Sequence, residues 1–461
     1  MAGIKGRLAR LKSAAGIASR VSVTEDLVGG AAVPADGAVV QSGGASEALG
    51  GRAFLPGWQK LSDGLYERIR STALRIDETE EVSFDYRPFF PRKRFSLSRT
   101  DPDIVGVGGL RALENVGRKK PDAGAARAEG MATTPVLDAG LPISFTEVSF
   151  FDLETTGLSG GAGTLAFLAA VGYFSDGALQ IHQLFIDDFP AERDFLKRLV
   201  QLLSLRPNIV SFNGASFDLP LLKTRCVLNG LAIPDFFHID ALRLSRRLWK
   251  KSVGSCSLQS LEESVLGLSR QDDVPGFLIP RIWLDFIKSN RRTEESLLVM
   301  ERVVEHNSLD VRSLARLLMI MDRLFYESGR RWREFRADPV AVARELAALG
   351  RKERAVELLY EVGEYGSEEA LALLARFYRN SGDHEACGQV LDRLEGKSYY
   401  VCIEMAKCFE HVNKDPARAL QLTQAAARIA EAEGRKLSVL GRERLEKRLN
   451  RLQKKLVSDQ P

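Results

Sequence analysis

The sequence predicts an α/β domain, with a mixed sheet flanked by helices, followed by an all-α region. Two observations predict this division. From about residue 140, short apolar runs of strand-like composition alternate with longer amphipathic segments, which is the pattern of α/β domains. After Arg330 the apolar residues follow helical spacing throughout. A chain of 461 residues is also long enough for two or three domains, each with its own core.

The order of the elements defines the α/β domain further. Strands are predicted at Glu147–Phe151, Leu165–Phe174, Leu179–Ile186 and Asn208–Phe212, and helices at Ala191–Leu203 and Phe217–Leu228. The second and third strands flank Ser175-Asp176-Gly177, which is typical of a hairpin turn. Helical segments then continue to about Tyr326. Three antiparallel strands, a helix, a further strand and more helices is the element order of a ribonuclease-H-like fold, which we place at residues 140–330.

Two segments of different composition precede this domain. Residues 1–50 are rich in Ala, Gly, Ser and Val and are predicted to be a disordered N-terminal tail. Residues 51–139 are predicted to be an arm and a linker, with a short strand within 81–86 and a Gly-, Ala- and Pro-rich stretch from residue 101. The aromatic residues of the arm alternate with Arg and Lys. Packing on the next domain or contact with nucleic acid would each explain that composition.

Composition excludes several classes of protein. The hydrophobic fraction of 45% and the charged fraction of 27% are those of a soluble globular protein, and a net charge of +4 favours no particular partner. The five cysteines form no CxxC pair and are predicted to be buried, reduced thiols. The N-terminal segment lacks the apolar core of a secretory signal, and the uncharged stretch from Thr155 to Ser175 is too rich in glycine for a membrane span. We therefore expect a cytoplasmic protein without membrane contact.

A pair of carboxylates stands where the first strand of the α/β domain should end. Asp152 and Glu154 are one residue apart, so in a strand their side chains share a face. Two neighbouring anions repel each other and raise each other's pKa, a cost that a cation between them usually offsets. Oxygen ligands suit a hard ion such as Mg²⁺ or Mn²⁺. An edge-strand Asp and Glu that face water would produce the same pattern.

Two further acidic positions favour the metal-site interpretation. Asp218 follows the strand that ends near Asn213 and falls in the first turn of a helix, where it would otherwise serve as a dipole partner. His306 and Asp310 are four residues apart in a predicted helix and therefore lie on one face, one turn from each other. Together the three positions supply four carboxylates and one imidazole.

These motifs resemble those of the DEDD superfamily of 3′–5′ exonucleases. FDLETTG matches the first exonuclease motif, SFNGASFDLPLL the second and HNSLDV the third. The surrounding segments GLSGGAGTLAFLAAVGYF, HIDALRLSRRLWK and DDVPGFLIP are similar to the YprB-type bacterial branch, which joins a ribonuclease-H-like domain to tetratricopeptide-like helices. The resemblance covers about residues 145–325 well and the C-terminal helices loosely.

The resemblance implies a site with two divalent ions, Mg²⁺ or Mn²⁺. It implies that Asp152 bridges the two ions, that Glu154 and Asp310 complete the site for the ion of the attacking water, and that Asp218 holds the other ion through water. His306 would be the general base. The sequence differs from the better-known branches here, because it has a histidine at the spacing at which the DEDDy branch has a tyrosine.

The resemblance also suggests where the substrate binds. Thr155, Thr156, Gly157 and Leu158 follow the first two carboxylates, where family members contact the terminal nucleotide, and Asn213 holds the corresponding place in the second motif. Arg243, Arg247 and Lys250 form a stripe on a predicted helix. This stripe would bind the phosphates of a nucleic-acid strand, or it is simply a solvated helix face.

The C-terminal region, residues 331–461, has the marks of a degenerate helical repeat. Gly350, Gly382 and Lys414 are equally spaced, and each precedes a helix-like run that contains alanine. Such helices resemble tetratricopeptide repeats, whose surface binds protein segments, although a plain helical cap is equally compatible with the pattern. The last predicted helix, 435–455, is rich in Lys and Arg, which would be solvated or would contact nucleic acid.

The sequence thus predicts a metal-dependent nuclease that acts on DNA or RNA, with a single-stranded 3′ end as the expected substrate. A nucleic-acid-binding adaptor, which would use the helical region to bind a partner protein and would have little catalysis, is the alternative from another class. Endonucleolytic cutting of a structured duplex is the alternative within catalysis.

Overall fold

The structure is a computed structural model that describes residues 57–76, 83–84, 143–157, 163–206, 208–271, 273–288, 293–327, 329–434 and 437–458. The predicted tail and the linker at 101–139 lie outside the described residues. The chain divides into two compact units between Gly329 and Arg330. The first contains a sheet and its helices, and the second is helical wherever it has regular structure.

Nine strands occur in the described part of the first unit. They are β1 Gln59–Ser62, β2 Leu65–Arg75, β3 Ser83–Phe84, β4 Ile143–Ser144, β5 Val148–Thr155, β6 Ala166–Ser175, β7 Ala178–Ile186, β8 Asn208–Ser211 and β9 Phe237–Asp240. Strands β3 and β4 pair only with each other, and the remaining seven form one sheet in the order β1-β2-β7-β6-β5-β8-β9.

The large sheet is mixed, as the sequence predicts. Strands β5, β6 and β7 form an antiparallel meander, and β8 and β9 add to it in parallel. The observed strands of the meander begin and end within a few residues of the predicted ones. This ribonuclease-H-like topology places the carboxyl ends of β5, β8 and β9 along one edge, where loops gather side chains from different parts of the chain.

The sheet begins earlier in the chain than the predicted domain limit at residue 140. Strands β1 and β2 come from the segment predicted to be an arm, and β2 pairs with β7 from Leu65 to Arg75. The composition of β2 hides this role because its buried positions include Glu67 and Arg68. Arg68 donates to Gln183 at 2.8 Å and to Glu301 at 2.6 Å, so its buried charge is paired within the fold.

Helices pack around this sheet. They are α1 Glu192–Leu203, α2 Asp218–Leu228, α3 Ala241–Val253, α4 Leu258–Leu261, α5 Ile279–Lys288 and α6 Glu294–Tyr326, with a π-helical turn at Glu262–Leu266. Helix α6 packs against β5, β6 and β7. On α5, Trp283 is fully buried and stacks on Phe167 with ring centroids 5.0 Å apart.

The second unit is built of helices packed against their chain neighbours. They are α7 Arg331–Glu334, α8 Pro339–Ala348, α9 Lys352–Glu364, α10 Glu368–Ser381, α11 His384–Leu391, α12 Tyr399–His411, α13 Pro416–Ala432 and α14 Val439–Ser458. Their tetratricopeptide-like character stays a prediction. All five cysteines of the chain are buried and free of disulfides, as predicted. Among the described residues, no helix has both the length and the apolarity to cross a membrane.

The basic last helix is held by one buried carboxylate. Glu410 on α12 accepts hydrogen bonds from Arg448 at 2.7 Å and from Arg451 at 2.8 Å, and Lys455 lies 3.6 Å from it. Leu452 of the same helix is fully buried. Three of the basic residues in α14 therefore have a structural role in this unit.

Candidate active site

Three segments bring the predicted catalytic residues together. Asp152 and Glu154 lie on β5 with side chains on one face of the sheet. Helix α6, which packs across this sheet, carries His306 and Asp310 one turn apart. Asp218 is the first residue of α2, which follows β8, the parallel neighbour of β5. The segments converge near the carboxyl ends of the two parallel strands.

Glu154, His306 and Asp310 form the tightest group. His306 Nε2 lies 4.0 Å from Glu154 Oε1 and 3.7 Å from Asp310 Oδ2. One ligand atom from each of the three residues lies within 4.8 Å of the others, a spacing that one metal ion could occupy. The one-turn separation of His306 and Asp310 on α6 thus places both side chains toward the strand carboxylates.

Asp152 is oriented by a side chain that the sequence analysis does not single out. Asn307, which is fully buried, donates from Nδ2 to Asp152 Oδ2 at 2.8 Å. The other end of the same amide accepts from Gln183 Nε2 at 3.3 Å, which fixes the amide orientation. One oxygen of Asp152 is therefore held by the protein, and the second remains for a cation.

Burial and mutual repulsion oppose ionisation of the carboxyl groups. Burial raises the pKa of Asp152 well above its ordinary value, and the charges of Asp310 and Asp218 raise it further. Burial likewise raises the pKa of Glu154, with added repulsion from Asp152, Asp310 and Asp218. Burial also raises the pKa of Asp310, although His306 and Arg270 counteract part of this effect. The groups are close enough to repel one another, which a bound cation would relieve.

Asp218 shares this environment. Burial raises its pKa to about 7, and the charges of Asp240 and Asp310 act in the same direction. The preceding loop leaves little room, because a Cβ at Gly214 would lie 2.9 Å from Asp218 Oδ2. Glycine at this position therefore allows the loop and the carboxylate to approach closely.

The residues present fit divalent metal ions. Four carboxyl groups supply hard oxygen ligands, and their raised pKa values mark a site whose negative charge lacks full compensation from the protein. Asp152 and Asp310 each accept a hydrogen bond from a protein side chain on one of their two oxygens. The donor set suits Mg²⁺ or Mn²⁺, and an imidazole at its border is compatible with Mn²⁺.

A second charged network adjoins the site. Arg270 donates to both carboxylate oxygens of the buried Glu262, at 2.6 and 2.5 Å, and it also donates to Asp273 at 3.2 Å and to Asp310. Asp273 Oδ1 lies 2.7 Å from His306 Nδ1. Glu262, Arg270 and Asp273 come from the segment between α4 and α5, far from α6 in the chain. No residue spacing could reveal these contacts, because only folding brings the two segments together.

Three of the predicted substrate residues, Thr155, Thr156 and Gly157, lie where β5 ends, and the two threonine hydroxyl groups fix this segment. Thr155 Oγ1 donates to the Gly157 carbonyl at 2.8 Å. Thr156 Oγ1 accepts from the Leu165 amide at 3.1 Å, and the Thr156 amide donates to the Leu165 carbonyl at 2.9 Å. These hydroxyl groups stabilise the end of the β5–β6 connection beside Glu154. Leu158 lies outside the described residues.

Asn213 lies in a turn that is fixed by a buried aspartate. Its φ is +68°, in the left-handed region that asparagine tolerates. Its amide donates to Asp240 Oδ1 at 2.9 Å, and the Ala215 amide lies 3.4 Å from Asp240 Oδ2. Asp240 ends β9, so the neighbouring parallel strand sets the position of the loop that leads to Asp218.

The predicted basic stripe lies on α3. Arg243 is exposed and Arg247 is half-buried, while Lys250 is exposed and donates to the Gly254 carbonyl at the end of the helix. The stripe therefore has one member whose ammonium group caps its own helix. The contact of these three residues with nucleic acid stays a prediction.

Comparison with known proteins agrees with this fold. Residues 149–322 match the RNase_H superfamily. This part of the chain is thus a ribonuclease-H-like domain, and this superfamily suggests nuclease-type activity. The uncharacterized protein YprB of Bacillus subtilis (strain 168) is 32% identical over 309 residues, which cover 63% of this chain and 72% of YprB. The chain belongs to the YprB family of ribonuclease-H-like proteins.

Similarity to a solved structure is more distant. The family B DNA polymerase from the hyperthermophilic archaeon Pyrobaculum calidifontis is 19% identical, with a TM-score of 0.30. The match covers 44% of this chain and 28% of the polymerase. A likeness of this extent carries no argument about activity.

Proposed function

We propose that this protein is a metal-dependent nuclease that removes nucleotides from the 3′ ends of DNA or RNA strands. The observation that supports the proposal is the convergence of Asp152, Glu154, Asp218 and Asp310, all with raised pKa values, beside one imidazole. A structural ion-pair network would match such anions with cations in equal number. Here Arg270 is the one cation seen in contact with the four carboxylates among the described residues.

Each side chain has a role in the proposed reaction. When bound, two divalent ions activate the attacking water and neutralise charge on the leaving oxygen. Asp152, with one oxygen held by Asn307, would bind both ions, while Glu154 and Asp310 would bind the ion next to the water and Asp218 the other. His306 Nε2 faces the carboxylates of Glu154 and Asp310, where it would accept the proton of the attacking water as general base.

Substrate contacts are part of the proposal. Thr155, Thr156 and Gly157 would contact the terminal nucleotide from the end of β5, and Leu158, which follows them in the sequence, is predicted to do the same. Asn213 would contact it from the loop after β8. The strand would then continue over Arg243, Arg247 and Lys250, whose positive charges would bind its phosphates.

The direct test uses single strands of DNA and RNA labelled at the 3′ end, incubated with purified protein in Mg²⁺ or Mn²⁺. We expect stepwise release of labelled mononucleotides, abolished by EDTA and restored by either metal. A correctly folded protein that cleaves none of these substrates in either metal would contradict the proposal. Cleavage of a circular strand would instead assign endonucleolytic cutting, because an exonuclease requires an end.

The adaptor alternative makes an opposite prediction about metal. A nucleic-acid-binding scaffold without catalysis has no need for divalent ions, so calorimetric titration with Mn²⁺ would show no binding at the carboxylates. Binding of a protein segment by the helical unit is compatible with either function, and it stays a prediction, as does the cytoplasmic location.

A further inference from the structure

Helix α6 presents His306 to the candidate active site with its Nε2 atom toward the carboxylates and its Nδ1 atom away from them. Nε2 lies 4.0 Å from Glu154 Oε1 and 3.7 Å from Asp310 Oδ2. Nδ1 lies 2.7 Å from Asp273 Oδ1. For a general base, the nitrogen that faces the reacting water must be unprotonated, so the partner of the other nitrogen decides whether the imidazole works.

Two groups compete for Nδ1. The carboxylate of Asp273 can only accept a hydrogen bond, whereas Arg270 Nη1, 3.2 Å from the same nitrogen, can only donate one. A protonated Nδ1 would bond to Asp273, and an unprotonated Nδ1 would bond to Arg270. The contact with Asp273 is shorter, and Arg270 Nη1 already donates to Asp273 Oδ2 at 3.2 Å. These distances favour the tautomer with hydrogen on Nδ1.

Arg270 is itself held firmly. Glu262, which is fully buried, receives two parallel hydrogen bonds from Arg270, from Nε at 2.6 Å and from Nη2 at 2.5 Å. Such a fork fixes the plane of the guanidinium group. Glu262 begins a π-helical turn, a feature that is frequent at functional sites. The same Nη2 atom donates to Asp310 Oδ1, so Asp310 Oδ2 is the oxygen that faces His306.

We propose that Asp273 and the Glu262–Arg270 pair are positioning residues of this active site. Asp273 keeps the hydrogen of His306 on Nδ1 and so leaves Nε2 free to accept a proton. Arg270 holds one oxygen of Asp310 and leaves the other on the side of His306, where it would be available to a metal ion. The inference rests on the proposed function for its catalytic meaning, but its structural content, a fixed tautomer and a fixed carboxylate, can be measured in the absence of catalysis.

The first experiment determines the tautomer. The protein is labelled with ¹⁵N-histidine, and the His306 signals are assigned by their loss in His306→Gln. In metal-free wild-type protein at a fixed pH at which the ring is neutral, we expect a protonated Nδ1 and an unprotonated Nε2. A ring with hydrogen on Nε2 would overturn the proposal, whether or not the protein cleaves nucleic acid.

The second experiment changes Asp273 to Asn, which preserves size but adds a donor. The amide can donate to Nδ1, so the Nε2–H tautomer should become populated. We expect kcat to fall by about 10–100-fold, as for outer partners of metal sites, with a smaller change in KM for the nucleic acid. An unchanged tautomer together with an unchanged kcat would overturn the proposal.

The third experiment changes Arg270 to Lys, which keeps the positive charge but cannot form the fork to Glu262 and also reach Asp310. We expect the Kd for Mn²⁺, measured by calorimetry, to rise by about 10–100-fold. A Kd within about threefold of the wild-type value in a folded variant would contradict the role of Arg270. The role of Asp273 is tested separately if this variant does not fold.

Matched controls come from a surface ion pair on α5. Arg281 donates to Asp285 at 2.7 Å, and both side chains are more than half exposed, at 77% and 52%. Arg281→Lys and Asp285→Asn repeat the chemical changes outside the site and should leave the tautomer, kcat and Kd unaltered. If no variant or wild-type protein cleaves any substrate, the proposed function fails while the tautomer and metal-affinity results still decide this inference.

Discussion

Individual carboxyl groups show most clearly what the site requires. Two opposing effects act on the pKa of Asp152. Burial raises it, and the hydrogen bond that Asn307 donates to one of its oxygens lowers it. The hydrogen bond lowers the cost of ionisation, but burial and the charges of Asp310 and Asp218 outweigh it. A buried carboxyl group with a raised pKa lowers the free energy of unfolding of the metal-free protein. Metal binding would explain why such a group is present.

Asp152→Asn should therefore separate function from stability. Removal of the negative charge should reduce nuclease activity by at least about 100-fold, more than the loss expected at outer partners of the metal site. The melting temperature of the metal-free protein at neutral pH should rise, because folding no longer has to bury or protonate this carboxylate. Activity assays and thermal unfolding by circular dichroism measure the two effects. Asp176→Asn, at an exposed hairpin position with φ of +51°, is the control and should change neither.

Asp218 predicts a pH dependence with a definite sign. Its pKa is raised from the ordinary 3.8 to about 7 in the folded protein, so between these values the folded state binds more protons than the unfolded state. The stability that this group contributes is fully present below about pH 4 and is lost as the pH rises through 7. His238 acts oppositely, because burial lowers its pKa to about 4 and disfavours the fold at low pH.

The difference between wild type and Asp218→Asn isolates this effect. In metal-free protein, the melting temperature of the variant minus that of the wild type should increase as the pH rises from about 4 to about 7. Saturating Mg²⁺ or Mn²⁺ should reduce or reverse this increase in the difference, because the ionised carboxylate of the wild type is then stabilised by the cation. A pH-independent difference in metal-free protein would show that Asp218 is ionised throughout this range.

Helix α6 is the element on which the site depends most. It carries His306, Asn307 and Asp310, and it lies close to the sheet at Gly172 of β6, where an added Cβ would be 2.6 Å from Val311 Cγ1. Val311 directly follows Asp310, so any outward shift of α6 at this contact would move the carboxylate. Close packing between one glycine and one valine thus sets the distance between helix and strand carboxylates.

Gly172→Ala should push α6 from the sheet and reduce both stability and activity. Overpacking of this kind costs about 1–3 kcal/mol. Gly172→Ala combined with Val311→Ala frees the space that the new methyl group needs and should restore activity more than stability. Urea unfolding and the initial rate of nucleotide release measure these effects. Gly163→Ala is the control, because no atom of the described residues lies within 4 Å of a Cβ there. Failure of the double variant to recover activity would show that the packing at Val311 does not position Asp310.

At the scale of the whole molecule, the proposed catalytic residues and the helical unit belong to separate compact parts of the chain. Every proposed catalytic side chain lies before Gly329, and the helical unit begins at Arg330. The stability of the helical unit depends on its own buried charges, among which Glu410 joins α12 to α14. A defect in that unit should therefore leave the chemistry of the site intact.

Glu410→Gln tests this independence. Loss of the charge leaves Arg448 and Arg451 without a charged partner, and the melting temperature of the helical unit should fall by about 5 °C or more. The rate of nucleotide release from a short single strand should stay within about twofold of the wild-type rate. Glu443→Gln, which removes an exposed carboxylate 3.7 Å from Lys447, is the control. An unchanged melting temperature would contradict the structural role of Glu410.

The sequence predicted much of the fold because the central strands are apolar and bounded by clear turns. The meander from β5 to β7 and the helix on which His306 and Asp310 share a face both follow from local patterns. Strand β2 did not, because its buried Glu67 and Arg68 read as surface residues. Their burial depends on partners such as Gln183 and Glu301, which are distant in the chain.

The sequence by itself determined which chemistry this protein has available: four carboxylates and one histidine, in segments whose motifs resemble those of a nuclease family. The tertiary structure alone decided how these groups are oriented. Asn307 holds Asp152, Asp273 lies against His306, and Arg270 joins Glu262 to Asp310. The physical reason is that motifs follow local spacing along the chain, whereas hydrogen bonds and desolvation depend on which side chains meet after the sheet and α6 have packed together.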